Sequence, residues 1–352
     1  MNDTVQTAEE SAPTEGGSTA PESAGLGWMA RTIASLPETA ALLFVLAGLI
    51  LYFSLASEYF FDFDNFVNIA QNSAVIGIIA MPATVLLIGG QVDLSVGSIA
   101  GLMGMTMAVA TTATDAETTP YGLGVGIGLA LVITVALGLA IGAFNGFAVT
   151  KIGLNSIIVT LGGLAMFRGL TKVLGDGQTI RINGFGDLGV SRPFLDIPTP
   201  VWIFIGVSIA CHLLLKFTVY GRSIYAVGAN PHAARLAGIR TSRVLFIAFV
   251  LTAVATALAG LIRVSQVGSA ATNGGAGFEL TVVTAIILGG ASLSGGRGSI
   301  AGTFLALLVL NVLENGLIQT GVPTFWIEFS EGALLIVAVS FDRLRVRLGS
   351  AE

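Results

Sequence analysis

The sequence predicts an all-α, polytopic membrane protein with about ten transmembrane helices, some of them broken at glycine-rich segments. Composition is the first reason, because 54% of the residues are hydrophobic and only 11% are charged, whereas soluble domains carry roughly one quarter charged residues. The second reason is a succession of apolar windows of about 18 to 22 residues, each long enough to cross about 30 Å of hydrocarbon. The third is a glycine-rich pattern that occurs twice.

The apolar windows begin after an acidic, polar start. Residues 1–36 have too little apolar surface to offset chain entropy, so we predict a disordered acidic tail there. The window at 279–295 is short and contains glycine, which favours a broken helix. The predicted spans run approximately over residues 38–57, 72–90, 95–114, 122–149, 156–174, 200–218, 243–267, 279–295, 299–317 and 323–341.

The glycine-rich pattern reads GGQVDLSVGSIAG over Gly89–Gly101 and GGASLSGGRGSIAG over Gly289–Gly302. Glycine interrupts helices, and irregular backbone at membrane depth is tolerated only where protein or a water-filled cavity satisfies its polar groups. We therefore place both breaks beside a translocation path. Close helix packing through small residues is the alternative, and the sequence leaves it open. The glycines of the two breaks are Gly89, Gly90, Gly289 and Gly290, followed by Gly295 and Gly296.

Basic residues predict the orientation, because Lys and Arg in short loops remain on the cytoplasmic side. With the N-terminus inside, most Lys and Arg residues fall in cytoplasmic segments, although Arg181 and Arg192 fall in an outer loop. Both termini are therefore predicted to be cytoplasmic. We expect one transmembrane domain over 37–343, with a basic cytoplasmic tail over 344–352.

The one substantial cytoplasmic loop, 219–243, carries the signals of a short helix. Asn230 suits the N-cap, Pro231 the first helical position and Gly238 the left-handed residue after the end. The helix between them suits a groove on another protein, and an amphipathic helix lying on the bilayer is the alternative. Its other candidate contact residues are His232, Ala234, Arg235 and Leu236.

Polar and charged residues within or beside the spans are further candidates for the path. Asp93 precedes the third span and Glu279 opens the eighth, where a carboxylate complements the helix dipole. For Asp93 a structural cap is favoured over contact with a transported solute, and Glu279 is a candidate outer gate. Arg168 and Arg263 lie near outer ends, where snorkelling is favoured. The remaining candidates are Glu314 as a charge, and Asn72, Asn145, Thr160, Gln266 and Asn311 as hydroxyl-binding groups.

Four motifs in order resemble the ribose-type monosaccharide ABC permeases: GGQVDLSVGS, SIIVTLGGLAMFRGL, YGRSIYAVGANPHAARLAGI and ILGGASLSGGRGSIAGT. The resemblance covers most of residues 60–341. It implies two copies per transporter, a cytoplasmic ABC ATPase subunit and an extracytoplasmic sugar-binding protein, with Asn230–Gly238 as the coupling helix. Many members of that family carry an acidic pair after the Asn, where this chain has Pro231 and His232, so its contacts with the ATPase are expected to differ.

Other classes of function fit the residues poorly. The chain has no G-x-x-x-x-G-K-[ST] string, so ATP is expected to be hydrolysed by a separate subunit, with no cofactor on this chain. The string at 290–293 resembles a rhomboid protease nucleophile motif, but both histidines, His212 and His232, lie upstream of it. One Cys and two separated His residues give no metal site. We expect no enzyme activity and no nucleic-acid partner.

Together the residues and the resemblance predict a permease subunit of the bacterial inner membrane. It would translocate a monosaccharide into the cytoplasm by alternating access, as a homodimer within the lipid bilayer. The alternative is an ion-coupled secondary transporter of a small neutral solute, because repeated broken helices are also typical of that class.

Overall fold

Helices make up almost all of the regular structure in residues 38–114, 119–182 and 184–349, the residues that the computed structural model describes. The tail predicted over 1–36 lies outside them, as do residues 350–352 of the predicted C-terminal tail. The first helices are α1 Glu38–Ala56, α2 Phe63–Ile88, α3 Val96–Thr111, α4 Ile127–Phe147 and α5 Ser156–Leu174. The later helices are α6 Asp187–Val190, α7 Thr199–Phe217, α8 Val219–Ala229, α9 Pro231–Leu236, α10 Thr241–Val267, α11 Phe278–Leu288, α12 Ile300–Gln319 and α13 Thr324–Gly349.

Seven of the described helices are long and apolar enough to cross a membrane, namely α1, α2, α4, α5, α7, α10 and α12. Helices α3 and α11 are apolar but have only 16 and 11 residues. At 1.5 Å per residue they extend about 24 and 16 Å, less than the hydrocarbon layer of about 30 Å. The all-α polytopic membrane class is therefore confirmed. Ten spanning helices remain a prediction, although each predicted window contains a helix.

Three predicted bounds differ from the structure by more than five residues. One of them is the end of α13, which runs to Gly349 rather than to about residue 341. Helix α2 begins at Phe63 rather than near residue 72, because the Asp62 carboxylate accepts a hydrogen bond from the Asp64 amide at 3.1 Å. Its first turns include the buried Asn65, whose amide donates to Asn315 Oδ1 at 3.0 Å. Polar residues with tertiary partners lowered the hydropathy that defined the window. The window at 279–295 ends too late, since α11 stops at Leu288.

Helix α3 lies at the centre of the molecule, and every residue from Val96 to Ala110 is buried. Its neighbours include α4, α5 and α10. Helix α3 approaches α10 closely at Gly260. If this glycine carried a side chain, its Cβ atom would lie 2.3 Å from the Ala100 carbonyl oxygen. On another side, a Cβ atom on Gly101 would lie 2.2 Å from the carbonyl oxygen of Gly274. Small residues thus bring backbones together around α3.

Two connecting segments are joined at the predicted outer end. Strand β1 (Ile180–Arg181) pairs antiparallel with β2 (Ser269–Ala270). The short helix α6 packs beside α10, because the Gly189 amide donates to Ser265 Oγ at 2.9 Å. The segment that follows β2 then reaches the middle of α3 through Gly274. Helix α11 therefore begins next to the buried helix α3.

Candidate translocation pathway and coupling site

The two glycine-rich segments end α2 and α11 in the same way. Gly90 and Gly290 follow the two helix ends with φ angles of +77° and +88°, a region that glycine adopts without steric cost. In each case the next amide donates to the carbonyl five residues before it, which defines a Schellman motif. The sequence repeat is therefore also a structural repeat. The bonds run from Gln91 to Leu86 at 3.2 Å and from Ala291 to Ile286 at 3.1 Å.

The two breaks meet each other beside helix α8. The Gly296 amide donates to the Ile88 carbonyl oxygen at 2.8 Å. A Cβ atom on Gly295 would lie 2.8 Å from the Gly90 Cα, and one on Gly228 of α8 would lie 1.8 Å from the Ile88 oxygen. Three backbone segments are thus in direct contact. No side chain larger than hydrogen fits at these glycines without a shift of backbone.

Gly89 and Gly289, which precede the left-handed glycines of the two Schellman motifs, are packed tightly. A Cβ atom on Gly89 would lie 2.7 Å from Ile224 Cδ1, and one on Gly289 would lie 2.5 Å from the Gly302 carbonyl carbon. At Gly89 and Gly289 the structure therefore supports the packing interpretation that the sequence left open. Gly302 belongs to the second GSIAG string, so the repeated motif packs against its own break.

Asp93, Ser95 and Asn145 form a buried polar cluster between the first break and α4. Asp93 is 5% exposed and accepts hydrogen bonds from the Ser95 amide at 2.8 Å and from the Ser95 hydroxyl. The Asn145 amide donates to Ser95 Oγ at 3.1 Å and to Asp93 Oδ2 at 3.5 Å. This geometry favours the structural role of Asp93, which shapes the turn before α3. The Asn145 Oδ1 atom has no hydrogen-bond partner among the described residues.

Glu279 and Arg168 form an ion pair next to α3. Arg168 Nη2 of α5 lies 3.4 Å from Glu279 Oε1 of α11. Glu279 is 9% exposed, and a Cβ atom on Gly97 would lie 2.0 Å from its second oxygen, Oε2. Arg168 therefore has a partner within the helix bundle, which the sequence did not predict, and its side chain is 29% exposed. Arg168 Nε and Glu279 Oε2 are both buried without a hydrogen-bond partner in the described part of the chain.

The other candidates are not brought together into one site. Thr160 and Asn311 are buried, and each donates within its own helix, to the carbonyl oxygens of Ser156 and Leu307 at 2.9 Å. Asn72 of α2 is exposed. Gln266 of α10 is partly buried, and its amide nitrogen is buried without a partner among the described residues. Arg263 of α10 is exposed and Glu314 of α12 is partly buried. These side chains offer polar groups at several levels rather than one binding pocket.

The loop over 219–243 contains the short helix that the sequence predicts. Asn230 Oδ1 accepts hydrogen bonds from the two amides that follow Pro231, each at 3.0 Å. Gly238 follows the helix with φ +82° in a third Schellman motif. Ala234 is buried against the protein, whereas Leu236 is 79% exposed. All residues of α9 except Ala234 are exposed, among them His232, Arg235 and Leu236.

Helix α8 connects α9 to the membrane helices through two tyrosine hydroxyls. Tyr225 donates to the Gly298 carbonyl oxygen at 2.8 Å, and Tyr220 donates to the Val244 carbonyl oxygen at 2.9 Å. Burial raises the pKa of both phenols, so they stay protonated and able to donate. Tyr225 therefore holds the loop after the second break, and Gly228 of the same helix touches both breaks.

Several of these residues were missed in the sequence. Ser95 stands two residues after Asp93, the spacing of a local turn in which an Asp side chain accepts the amide, so that signal was present. Gly228 and Tyr225 gave no local signal, because their partners lie far away in the chain. Among the described residues, no group of three or more His, Cys, Asp or Glu side chains is placed to hold a metal ion.

Comparison with known proteins now identifies the family. A family model described as "Branched-chain amino acid transport system / permease component" matches residues 65–339. The ribose import permease protein RbsC of Escherichia coli (strain K12) is 37% identical over 306 residues, which cover 85% of this chain and 92% of that protein. No solved structure matches the chain.

Two further relatives are permeases of autoinducer 2 import systems. LsrC of Yersinia enterocolitica is 34% identical over 310 residues, covering 88% of this chain and 83% of that protein. LsrD of Photorhabdus laumondii is 33% identical over 311 residues, covering 84% of this chain and 89% of that protein. The chain therefore belongs to the family of ABC importer permeases that includes these proteins.

Proposed function

We propose that this chain is the membrane subunit of a bacterial importer that moves a small neutral sugar into the cytoplasm, driven by ATP hydrolysis on a partner subunit. The similarity to a ribose permease supports a sugar as substrate. A soluble binding protein would deliver the sugar from outside, and two copies of the chain would form the pathway between them. Both termini and the 219–243 loop would lie in the cytoplasm.

The observation that carries the proposal is the connection from α9 to both glycine breaks. The ATPase would contact the exposed residues of α9, above all Arg235 and Leu236. Helix α9 is followed along the chain by α10 and preceded by α8, whose Gly228 touches the first break and whose Tyr225 binds the second. A displacement of α9 would therefore reach both breaks through one rigid helix. That coupling would drive alternating access between outward-open and inward-open states.

The Arg168–Glu279 pair is the best-supported gate within the membrane. Two buried atoms without partners, Arg168 Nε and Glu279 Oε2, offer one donor and one acceptor, and sugar hydroxyls supply both kinds of group. The pair has no net charge. A pathway with balanced charges suits an uncharged, hydroxyl-rich solute better than an ion.

The first prediction concerns the energy source. The permease, reconstituted in lipid with its ATPase, should hydrolyse ATP faster when its sugar-loaded binding protein is added, and uptake should require ATP. The measurement is the rate of ATP hydrolysis and of labelled sugar uptake across a panel of pentoses and hexoses. No stimulation by any of them, or uptake that survives ATP depletion and collapses with the ion gradient, would contradict the proposal.

The second prediction concerns α9. Arg235→Glu should reduce ATP-dependent uptake by about tenfold or more, because a reversed charge at a protein interface costs several kcal/mol, while the permease still assembles. Arg235→Lys, which keeps the positive charge at the same position, is the matched control and should leave uptake near that of the unmodified protein. Uptake by Arg235→Glu equal to that of the control would remove the assignment of α9 as the contact with the ATPase.

The third prediction concerns the ion pair. Arg168→Gln and Glu279→Gln should each slow uptake, since each leaves the charge of the partner unpaired, and the double variant should recover part of the loss. The coupling in this double-mutant cycle should be about 0.5–3 kcal/mol. Thermal unfolding of the unmodified protein, the two single variants and the double variant shows whether a loss of uptake comes from a loss of stability. Purely additive effects on uptake would show that the two side chains do not act as a gate.

A further inference from the structure

A basic cleft lies between the inner end of α4 and the beginning of α10. Its volume is about 620 Å³, within the range of ligand-binding sites. Helix α4 continues here as a π-helical turn, Ala148–Ile152, which carries Lys151 into the lining. The aromatic and basic residues of the lining are Phe147, Lys151, Arg235, Arg240, Arg243 and Phe246.

The charges of the cleft are not compensated by the protein. Lys151, Arg235, Arg240 and Arg243 are all exposed, and none of the residues that line the cleft is acidic. In the described part of the chain the ion pairs are those of Arg168 with Glu279 and of Arg192 with Asp196, so none involves these four. Four positive charges around one cleft favour an anion.

The apolar residues of the cleft indicate which kind of anion it binds. Two phenyl rings, Phe147 and Phe246, line it beside the cations. Phe147 is 53% exposed, and its neighbours Phe144 and Ile152 are 52% and 61% exposed. These side chains form an apolar surface on the same end of α4, a membrane-spanning helix. A ligand with both a phosphate and hydrocarbon chains would satisfy the cations and cover this surface.

We propose that the cleft binds the phosphate headgroup of an anionic phospholipid of the inner leaflet, with its acyl chains along Phe147 and the exposed end of α4. Basic pockets between membrane helices on the cytoplasmic side bind such headgroups through charge, and each Lys or Arg strengthens attraction to anionic lipid. Arg235 belongs both to α9 and to the cleft. A bound lipid would therefore sit against the proposed coupling helix and hold it near the membrane.

The test is lipid binding by the purified full-length permease, measured by native mass spectrometry and by the shift in thermal midpoint. Dioleoyl phosphatidylglycerol should bind and stabilise, whereas dioleoyl phosphatidylcholine should not. The triple variant carries Lys151→Gln, Arg240→Gln and Arg243→Gln. It should bind phosphatidylglycerol about 100-fold more weakly at low salt, and each single substitution should weaken binding about fivefold. The control variant carries Gln at Lys172, Arg181 and Arg192 and should bind like the unmodified protein.

Two further measurements distinguish a bound lipid from free phosphate and from a protein partner. Inorganic phosphate and glycerol 3-phosphate should not compete with the lipid at equal concentration, and Phe246→Ala should weaken binding of the lipid. The thermal midpoint in phosphatidylcholine shows whether each variant folds, and the single variants serve if the triple variant does not. Equal competition by free phosphate would overturn the proposal. So would a triple variant that keeps the lipid but loses co-purification with the ATPase, because the cleft would then belong to that partner.

Discussion

Three backbone segments meet where α2, α8 and the loop after α11 come together, and the close approach of Gly90, Gly228 and Gly295 makes that meeting possible. Peptide groups at membrane depth need hydrogen-bond partners, because lipid supplies none. The bond from the Gly296 amide to the Ile88 carbonyl supplies one of them across two segments. One peptide group of the first break is therefore satisfied by the second, and the close packing leaves no space for side chains between them.

A consequence of this contact is mechanical. Helix α8 touches the first break through Gly228 and binds the second through Tyr225, and its C-terminal end leads directly into α9. The pKa of the partly buried Tyr225 phenol is raised by desolvation, so its bond to Gly298 does not depend on pH near neutrality. Packed interfaces of this kind switch between discrete arrangements instead of deforming gradually. In the proposed transporter, a force on α9 would thus shift both breaks together.

Local signals made part of this predictable from the sequence. The caps of α9 were predicted at Asn230, Pro231 and Gly238 because each acts through its nearest neighbours, and the glycine breaks were predicted because the motif repeats. The start of α2 was missed, since Asn65 depends on Asn315 for its partner, 250 residues away. The pairing of Arg168 with Glu279 was missed for the same reason: each charge alone resembles a snorkelling or helix-capping residue. Partners that are distant in the chain leave no spacing pattern to detect.

The most direct test of the account is whether α9 and the second break move as one body. Spin labels at His232→Cys and Ser294→Cys, with Cys211 replaced by Ser and labelled protein diluted with unlabelled permease, report that distance by pulsed electron spin resonance. A second pair, His232→Cys with Asn155→Cys at the start of α5, reports movement of α9 against the rest of the bundle. The account predicts that ATP binding to the partner subunit leaves the first distance, from His232 to Ser294, unchanged. The second distance, from His232 to Asn155, should change. A first distance that changes as much as the second would contradict it.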